Sequence, residues 1–352
     1  MTATVQTESI GSGRFPRARL LAGVTPLDLL GNISGHGGLA PILVKRDDLT
    51  GLAMGGNKVR KLEFYAGKAL AEGCDTLLIT GAVQSNYVRV TAAAARRCGM
   101  DCHIQLEDRV DGADELYLGN GNVLLDRLLG ATLHRLPKDA DEAAADAGLD
   151  AIADGLRAKG RKPFVIHLGA RWEPRGALGY VLAAKELLDQ AAAMGRNITQ
   201  VVVASGSGQT HSGLLTGLRL VGSRLPVTGV CVRRDAAQQK ARIAQVCANL
   251  GKLIGRPGLV TEADIQVTDA HLGPGYGKVG QDAWDALIRA AQAEGLLLDP
   301  VYTAKSFAGA LAVAARPELT RDGDVLYVHT GGTPALFAYQ HAIEAALAVP
   351  VS

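Results

Sequence analysis

No apolar run in this chain is long enough to cross a membrane, so a transmembrane helix is not expected. Residues 1–13 are polar and hold no apolar core of the kind a secretory leader needs. The five cysteines (Cys74, Cys98, Cys102, Cys231 and Cys247) are an odd number scattered through apolar surroundings. That pattern speaks against a disulfide framework and for a reducing, cytoplasmic setting. Cys98 and Cys102 stand close together, but no second ligand pair accompanies them and Cys102 reads as part of a strand, so no metal site is expected. A formal net charge of +2 gives no concentrated basic face, and nucleic-acid binding is not expected. The nearest cluster, Arg14, Arg17 and Arg19, reads as an N-terminal arm, floppy or lying on the surface. Aromatics are scarce too, at 4 % of the chain.

What is abundant is glycine, 43 residues, within a composition that is 47 % apolar. That mixture suits an α/β protein rich in tight strand-to-helix turns. At 352 residues, two domains are the better expectation. Short β-branched runs at 76–80, 102–106, 164–168, 200–204, 227–232 and 325–329 read as buried strands. Residues 90–97, 121–129, 177–193 and 284–294 read as helices between them. The alternation is that of a mostly parallel sheet, whose ligands bind beyond the carboxyl ends of the strands. The stretch 137–159 is charged, alanine-rich and helical, and offers no site. Two bends could bound an inserted domain: Gly55-Gly56 and the loop 169–176.

Gly55-Gly56-Asn57-Lys58-Val59-Arg60-Lys61-Leu62-Glu63 is the most informative stretch. It places Lys58 after a Gly-Gly-Asn bend and at a helix start, where converging N–H groups disfavour an ammonium. Covalent catalysis by lysine needs that poise, because only the neutral amine attacks a carbonyl. A turn followed by a solvated basic helix face would look the same. Two strand-to-helix loops follow. In Thr80-Gly81-Ala82-Val83-Gln84-Ser85-Asn86-Tyr87 the polar residues cluster where a helix N-terminus presents its free N–H groups, although an ordinary N-cap at Ser85 or Asn86 accounts for them equally. Ala204-Ser205-Gly206-Ser207-Gly208-Gln209-Thr210 interleaves glycine with hydroxyl residues, as a phosphate cradle does. It is neither a P-loop nor a clean G-x-G-x-x-G. Tyr276 sits on a Gly/Pro loop, where tyrosine is a surface residue or a proton-handling group. His329-Thr330-Gly331-Gly332-Thr333 is a further strand running into a glycine pair.

Taken with Val44-Lys45-Arg46-Asp47-Asp48-Leu49-Thr50-Gly51, Val83-Gln84-Ser85-Asn86 and Leu298-Asp299-Pro300-Val301-Tyr302, these motifs resemble one enzyme family, colinearly from about Arg14 to Glu344. It is the fold type II pyridoxal 5'-phosphate (PLP) group that includes D-cysteine desulfhydrase, 1-aminocyclopropane-1-carboxylate deaminase and L-cysteate sulfo-lyase. The resemblance implies two α/β domains, each a mostly parallel twisted sheet flanked by helices. The large one would take 1–60 and 170–352, and a small inserted one 61–169. It implies PLP carried covalently on Lys58, which also moves the substrate's α-proton. Ser207 to Thr210, with Gly206, Gly208 and Gln209, would hold the phosphate, and Lys61 and Tyr87 would lie against the cofactor. Asn86 would meet its phenolic oxygen, and Thr303 and Thr330 its pyridine nitrogen. Ser85, Gln84 and Asn86 would receive the substrate carboxylate, and Tyr276 and Tyr302 would face the substrate. The implied assembly is a homodimer acting on a small amino acid, with no nucleic-acid or membrane partner.

Departures from the family bear on the substrate. Deaminases that open the cyclopropane ring usually carry glutamate where this chain has Thr303. A hydroxyl facing the pyridine nitrogen strengthens the electron sink less than a carboxylate would, which favours expulsion of a good leaving group from Cβ over ring opening. Asp101-Cys102-His103-Ile104-Gln105-Leu106-Glu107-Asp108-Arg109 and Gly121-Asn122-Val123-Leu124-Leu125-Asp126 look most like the sulfo-lyase branch. Tyr87 stands where relatives commonly have His or Gln. The loop Gly169-Ala170-Arg171-Trp172-Glu173-Pro174-Arg175-Gly176 also departs, and Arg171 there either receives an anionic sulfonate or carboxylate or lies on the surface. Elimination from L-cysteate or D-cysteine is the expected reaction, with ring opening, β-replacement or racemisation as rivals. A non-catalytic PLP carrier would not need Lys58, Ser85, Tyr276 and Tyr302 together.

Overall fold

The structure is a computed structural model that describes residues 3–34, 36–138, 141–319 and 323–348. Among the described residues, twelve strands form three sheets. β1 (Val5–Ile10) and β2 (Gly13–Ala18) pair as an antiparallel hairpin, so the N-terminal arginines do not belong to a loose arm. Arg17 instead bridges Glu8 at 2.8 Å and Glu63 at 2.8 Å. The six-stranded sheet runs β11 (Gln266–Thr268), β10 (Val227–Cys231), β9 (Ile198–Ser205), β12 (Asp324–Val328), β4 (Ile42–Lys45), β3 (Leu27–Leu29). It is parallel except for the β3 edge. The four-stranded sheet is wholly parallel, in the order β7 (Thr132–Arg135), β6 (Asp101–Glu107), β5 (Thr76–Ala82), β8 (Pro163–Ile166).

The buried apolar runs dictate this arrangement. Every residue of β4, β5, β10 and β12 is buried, as parallel strands covered by helices on both faces require. The hairpin, β3, β4, β7 and β11 are short and carried no clear periodic signal. The six expected strands and four expected helices all form, with ends displaced by a few residues. Val201, Val203, Leu326 and Leu43 pack on Leu214, Leu218 and Tyr180 on one face of the large sheet. Val202, Val230, Val325 and Ile42 pack on Phe307, Ala310 and Leu287 on the other. No helix among the described residues is long and apolar enough to cross a membrane.

Two features fix the start of helix Lys58–Ala71, and hence Lys58. The first is the bend before it, where Gly55 and Gly56 have φ of 67° and 112°. A Cβ on Gly55 would lie 1.9 Å from the Asp48 carbonyl oxygen, so no other residue fits. The second is a buried ionic network under the first turn. Arg60 donates from Nε to Asp47 Oδ2 at 2.9 Å and from Nη2 to Glu186 Oε1 at 2.7 Å. Lys45 Nζ reaches Glu186 Oε1 at 2.5 Å, and the Tyr180 hydroxyl donates to Asp47. Burial alone would raise the Asp47 carboxyl, and Arg60 beside it brings it below the ordinary value. The Lys-Arg-Asp motif is thus scaffold that ties β4 to the lysine helix.

Candidate active site

The carboxyl ends of β5, β6, β9 and β10, from two different sheets, open onto one cavity, and Lys58 and Thr330 complete it. Ligand sites in parallel sheets form at such strand ends because helix N-termini and loop side chains converge there. Of the sequence-predicted site residues, Lys58, Lys61, Ser85, Asn86, Tyr87, Gly206, Ser207, Gly208, Thr210, Tyr276, Tyr302 and Thr330 line the cavity.

Lys58 Nζ donates to Asn57 Oδ1 at 2.6 Å and lies 5.6 Å from the Tyr302 ring centroid and 5.8 Å from that of Tyr87. Burial lowers its ammonium to about 8, with Asp299 opposing and Arg89 assisting. A fraction of the amine is therefore free near neutrality, as a nucleophilic lysine requires. Lys61, one helical turn on, is buried with Nζ 5.5 Å from the Tyr87 ring. Burial, and then Lys58, lower it well below the usual lysine value, and no acceptor among the described residues bonds it. In the empty site the neutral amine is favoured, and an anion bound beside it, which no described residue supplies, would restore its charge.

The phosphate-type loop supplies the place for one. Gly208, at φ 98°, caps helix Gln209–Leu220, so the first N–H groups of that helix lack intrahelical partners and point to the loop. A Cβ on Gly206 would come within 3.2 Å of Val232, and one on Gly208 within 3.1 Å of Ile243. Asn57 Nδ2 donates to Thr210 Oγ1 at 2.9 Å, which couples the loop to the lysine turn. A glycine cradle, a helix N-terminus, an unpartnered buried lysine and a second lysine with a lowered pKa are the donor set that a phosphorylated aldehyde requires. The residues fit PLP.

Ser85 is the N-cap of helix Asn86–Arg97, accepting from the Tyr87 N–H at 3.2 Å. Capping and lining the cavity are compatible, so the N-cap alternative does not displace the site. Asn86 Oδ1 accepts from Asn122 Nδ2 at 3.1 Å and Arg89 Nη1 at 3.4 Å. That leaves its Nδ2 as the free donor. The Tyr276 and Tyr302 hydroxyls are hydrogen-bonded at 2.7 Å. Burial raises both, so the pair is protonated at neutral pH.

Four predicted residues lie elsewhere. Gln84 is a strut: its Nε2 donates to the carbonyls of Tyr117 and Asn120, and its Oε1 accepts from the Asn122 N–H. Gln209 turns its side chain to the Tyr65 hydroxyl at 2.9 Å, leaving only its backbone at the loop. Thr303 is fully buried with Oγ1 2.7 Å from Asp299 Oδ1, so its hydroxyl cannot tune a pyridine nitrogen. Thr330 is the hydroxyl residue on the cavity wall. Arg171 is 64 % exposed and pairs with Asp146 at 2.8 Å, outside the lining. Trp172 stacks on His167, 3.9 Å between centroids, and donates to Asp146.

Other lining residues went unassigned in the sequence: Glu107, Arg109, Arg233, Arg234, Arg242, Glu142 and Asp146. The last two belong to helix Glu142–Arg157, inside the stretch expected to offer no site. Arg109 and Arg233 carried a usable signal, being charged residues just beyond a buried strand. Asp299 was also passed over. It holds Tyr302 by accepting from the N–H groups of Val301, Tyr302 and Thr303 at 3.0, 3.0 and 2.9 Å.

Comparison with known proteins agrees with this geometry. A D-cysteine desulfhydrase of Klebsiella pneumoniae is 43 % identical over 326 residues, covering 93 % of this chain and 97 % of that protein. One from Salmonella choleraesuis is 42 % identical over the same length and coverage. The crystal structure of an ACC deaminase homologue superposes with a TM-score of 0.82 at 32 % identity, covering 94 % of this chain and 96 % of the other. The cysteine synthase of Entamoeba histolytica, 16 % identical with a TM-score of 0.63, shares the fold. The sequence profile of the pyridoxal-phosphate dependent enzymes matches residues 18–331, and this chain belongs to that family.

Proposed function

We propose that the protein is a PLP-dependent lyase that catalyses α,β-elimination on a small amino acid with a leaving group on Cβ. L-cysteate, releasing sulfite, and D-cysteine, releasing sulfide, are the leading substrates, with pyruvate and ammonium as common products. The observation that carries this is the placement of Lys58, part-neutral and half-buried, between the phosphate cradle and the Tyr276–Tyr302 pair. When bound, PLP withdraws electrons from the substrate's Cα. Lys58 Nζ holds the cofactor and then takes the α-proton. The amides of Ser207 to Thr210 and the Lys61 ammonium bind the phosphate. The free Asn86 Nδ2 meets the phenolic oxygen, and Ser85, at a helix N-terminus, receives the α-carboxylate. Tyr276 or Tyr302 supplies a proton on the leaving-group side. With Thr303 committed to Asp299, the preference for elimination over ring opening rests on the leaving-group side of the cavity.

Several organisational points belong to the same proposal. The strands of the small sheet all fall within 76–166, and those of the large sheet in 27–45 and 198–328, which supports lobes of 61–169 and of 1–60 with 170–352. Helix Lys58–Ala71 straddles that boundary and puts the reactive lysine at the junction. Five free cysteines support a cytoplasmic setting. A homodimer is the assembly that the family resemblance implies. The test is a screen of D- and L-amino acids, cysteate included, for keto acid, sulfite and sulfide. A yellow protein inert to all of them would sink the lyase assignment.

A further inference from the structure

The arginines of the cavity are not equivalent. Arg109, just beyond β6, pairs through its guanidinium with Glu107, with Nε to Oε2 at 2.8 Å. Arg242 holds Glu142 at 3.0 Å and the carbonyls of Ser207 and Leu168 at 3.0 and 2.7 Å. Arg234 bonds the Gly206 carbonyl at 3.4 Å and lies 4.0 Å from Glu142. Both therefore brace the phosphate loop. Arg233, just beyond β10, lines the same cavity and has no hydrogen-bond or ion-pair partner among the described residues. Its surroundings include Arg109, Tyr276 and the carboxylates of Glu107 and Glu142; burial and then the Arg109 charge lower its pKa against the pull of those carboxylates. Both carboxylates are already bonded to other arginines, Glu107 to Arg109 and Glu142 to Arg242, so this partly buried guanidinium has no bonded counter-ion among the described residues and can take an anion.

The cofactor phosphate already has its cradle and Lys61, and the α-carboxylate has the N-terminus of helix Asn86–Arg97. The Arg109 guanidinium lies 5.8 Å from the Tyr276 ring, and Tyr276 bonds Tyr302, which flanks Lys58. Arg233 lines the same cavity and acts on both Arg109 and Tyr276, so the unclaimed positive charge lies on the tyrosine side of the reactive lysine.

We propose that Arg233, backed by Arg109, forms a subsite for a second anionic group on the substrate's Cβ. The substrate class is then small amino acids bearing a fixed oxyanion there, a sulfonate above all. The inference rests on the elimination chemistry proposed above and adds the leaving group. With cysteate, the Cα–H proton passes to Lys58 and its electron pair forms the Cα–Cβ double bond. The Cβ–S bond breaks with its electron pair leaving on sulfur, so the departing group goes from one negative charge to two. Water then hydrolyses the unsaturated three-carbon amine. Cysteate plus water becomes pyruvate, ammonium and hydrogen sulfite, with no oxidant or reductant needed. A guanidinium at the sulfonate is worth more as that charge grows.

The test uses the holoenzyme with Arg233→Gln and Arg233→Lys. Pyruvate formation is followed from both enantiomers of cysteate, from D-cysteine and from 3-chloroalanine, whose leaving group carries no charge before it departs. Sulfite binding is followed separately by titrating the cofactor absorbance. The expected result is that wild type prefers cysteate and that Arg233→Gln lowers kcat/KM for cysteate roughly 10- to 100-fold more than for 3-chloroalanine. Sulfite should bind Arg233→Gln about tenfold or more weakly, and Arg233→Lys should recover part of both effects. An equal loss on both substrates would assign Arg233 to the α-carboxylate or to folding and overturn the proposal, as would no loss on either. A wild type that eliminates from D-cysteine and 3-chloroalanine but from neither cysteate would overturn the subsite and leave the lyase intact. No pyruvate from any substrate, with sulfite binding still dependent on Arg233, would overturn the lyase assignment and leave the anion subsite.

Discussion

Asn57 bridges the two halves of the active site: its Oδ1 accepts from Lys58 Nζ at 2.6 Å, and its Nδ2 donates to Thr210 Oγ1 at 2.9 Å. One amide therefore sets both the orientation of the reactive amine and its distance from the phosphate loop. Removing it in Asn57→Ala breaks two hydrogen bonds, one buried and one part-buried, of roughly 0.5–1.5 kcal/mol each. The expected outcome is cofactor affinity weakened about tenfold, read by titrating apoprotein with PLP and following absorbance. Unchanged affinity would show that the loop and the lysine turn are positioned independently.

Lys58→Ala should fold and still bind PLP in the cradle, but without a covalent bond to the protein. Borohydride treatment of wild type should fix the cofactor's mass on the peptide containing Lys58, and no peptide of the variant should gain it. Turnover should fall by on the order of 10⁴ or more, since the same nitrogen carries the cofactor and moves the proton. Label found on Lys61 in the wild type would contradict the assignment.

Loading of the apoprotein should depend on pH through Lys58. Its ammonium is lowered to about 8, and only the neutral amine attacks the aldehyde, so the second-order rate of PLP capture should rise with pH and level off above about 8. A rate still climbing tenfold per unit at pH 9 would mean that burial does not lower this lysine.

Asp47→Ala should be severely destabilising. It leaves two buried cations, Arg60 at 2 % exposure and Lys45, sharing the single carboxylate of Glu186, and one uncompensated buried charge costs about 3–5 kcal/mol. The urea midpoint of the apoprotein should fall accordingly. Replacing Asp28, whose contact with Arg46 is a partly exposed 3.3 Å bridge, should change it by less than about 1 kcal/mol.

His211 should make the protein acid-sensitive. It is fully buried, and burial lowers its pKa from 6.5 to about 4. Between those values the unfolded chain binds a proton that the folded chain refuses, so stability should be lost as pH falls from about 6.5 to about 4. The full loss is at most about 3 kcal/mol. Comparing unfolding free energies of wild type and His211→Gln across that range isolates the contribution. Parallel pH profiles would show that His211 titrates normally.

Local chemistry made much of this protein legible in the chain. Buried parallel strands read as β-branched runs, and the glycine loop, Ser85-Asn86 and Lys58 were visible because each stands at a strand-to-helix junction that a short motif encodes. The hairpin β1–β2 pairs locally, but its mostly polar residues show no apolar alternation. The short strands β4, β7 and β11 were not legible because their pairing is set by partners far away in sequence, and β3 is only three residues long. Residues 137–159 show the limit well. Their helical pattern was plain, but that Glu142 and Asp146 line the cavity and pair with Arg242 and Arg171 depends on how this helix packs against other elements.

By itself the sequence pointed to the cofactor and the family. A Gly-Gly bend forced by the close approach of Asp48, a helix starting at Lys58 and a glycine cradle are properties of contiguous residues. Tertiary structure decided which polar residues face the site. Gln84 and Gln209 turned away because each found a partner across the fold, in the carbonyls of Tyr117 and Asn120 and in the Tyr65 hydroxyl, whereas Thr303 is held by the Asp299 carboxylate only four residues back in its own chain. Arg171, itself exposed, found the buried Asp146, and Arg233, from the end of a different strand, faces the cavity with no partner among the described residues. A buried charge or hydroxyl goes where its hydrogen bonds can be made, and those partners are fixed only when the two sheets meet.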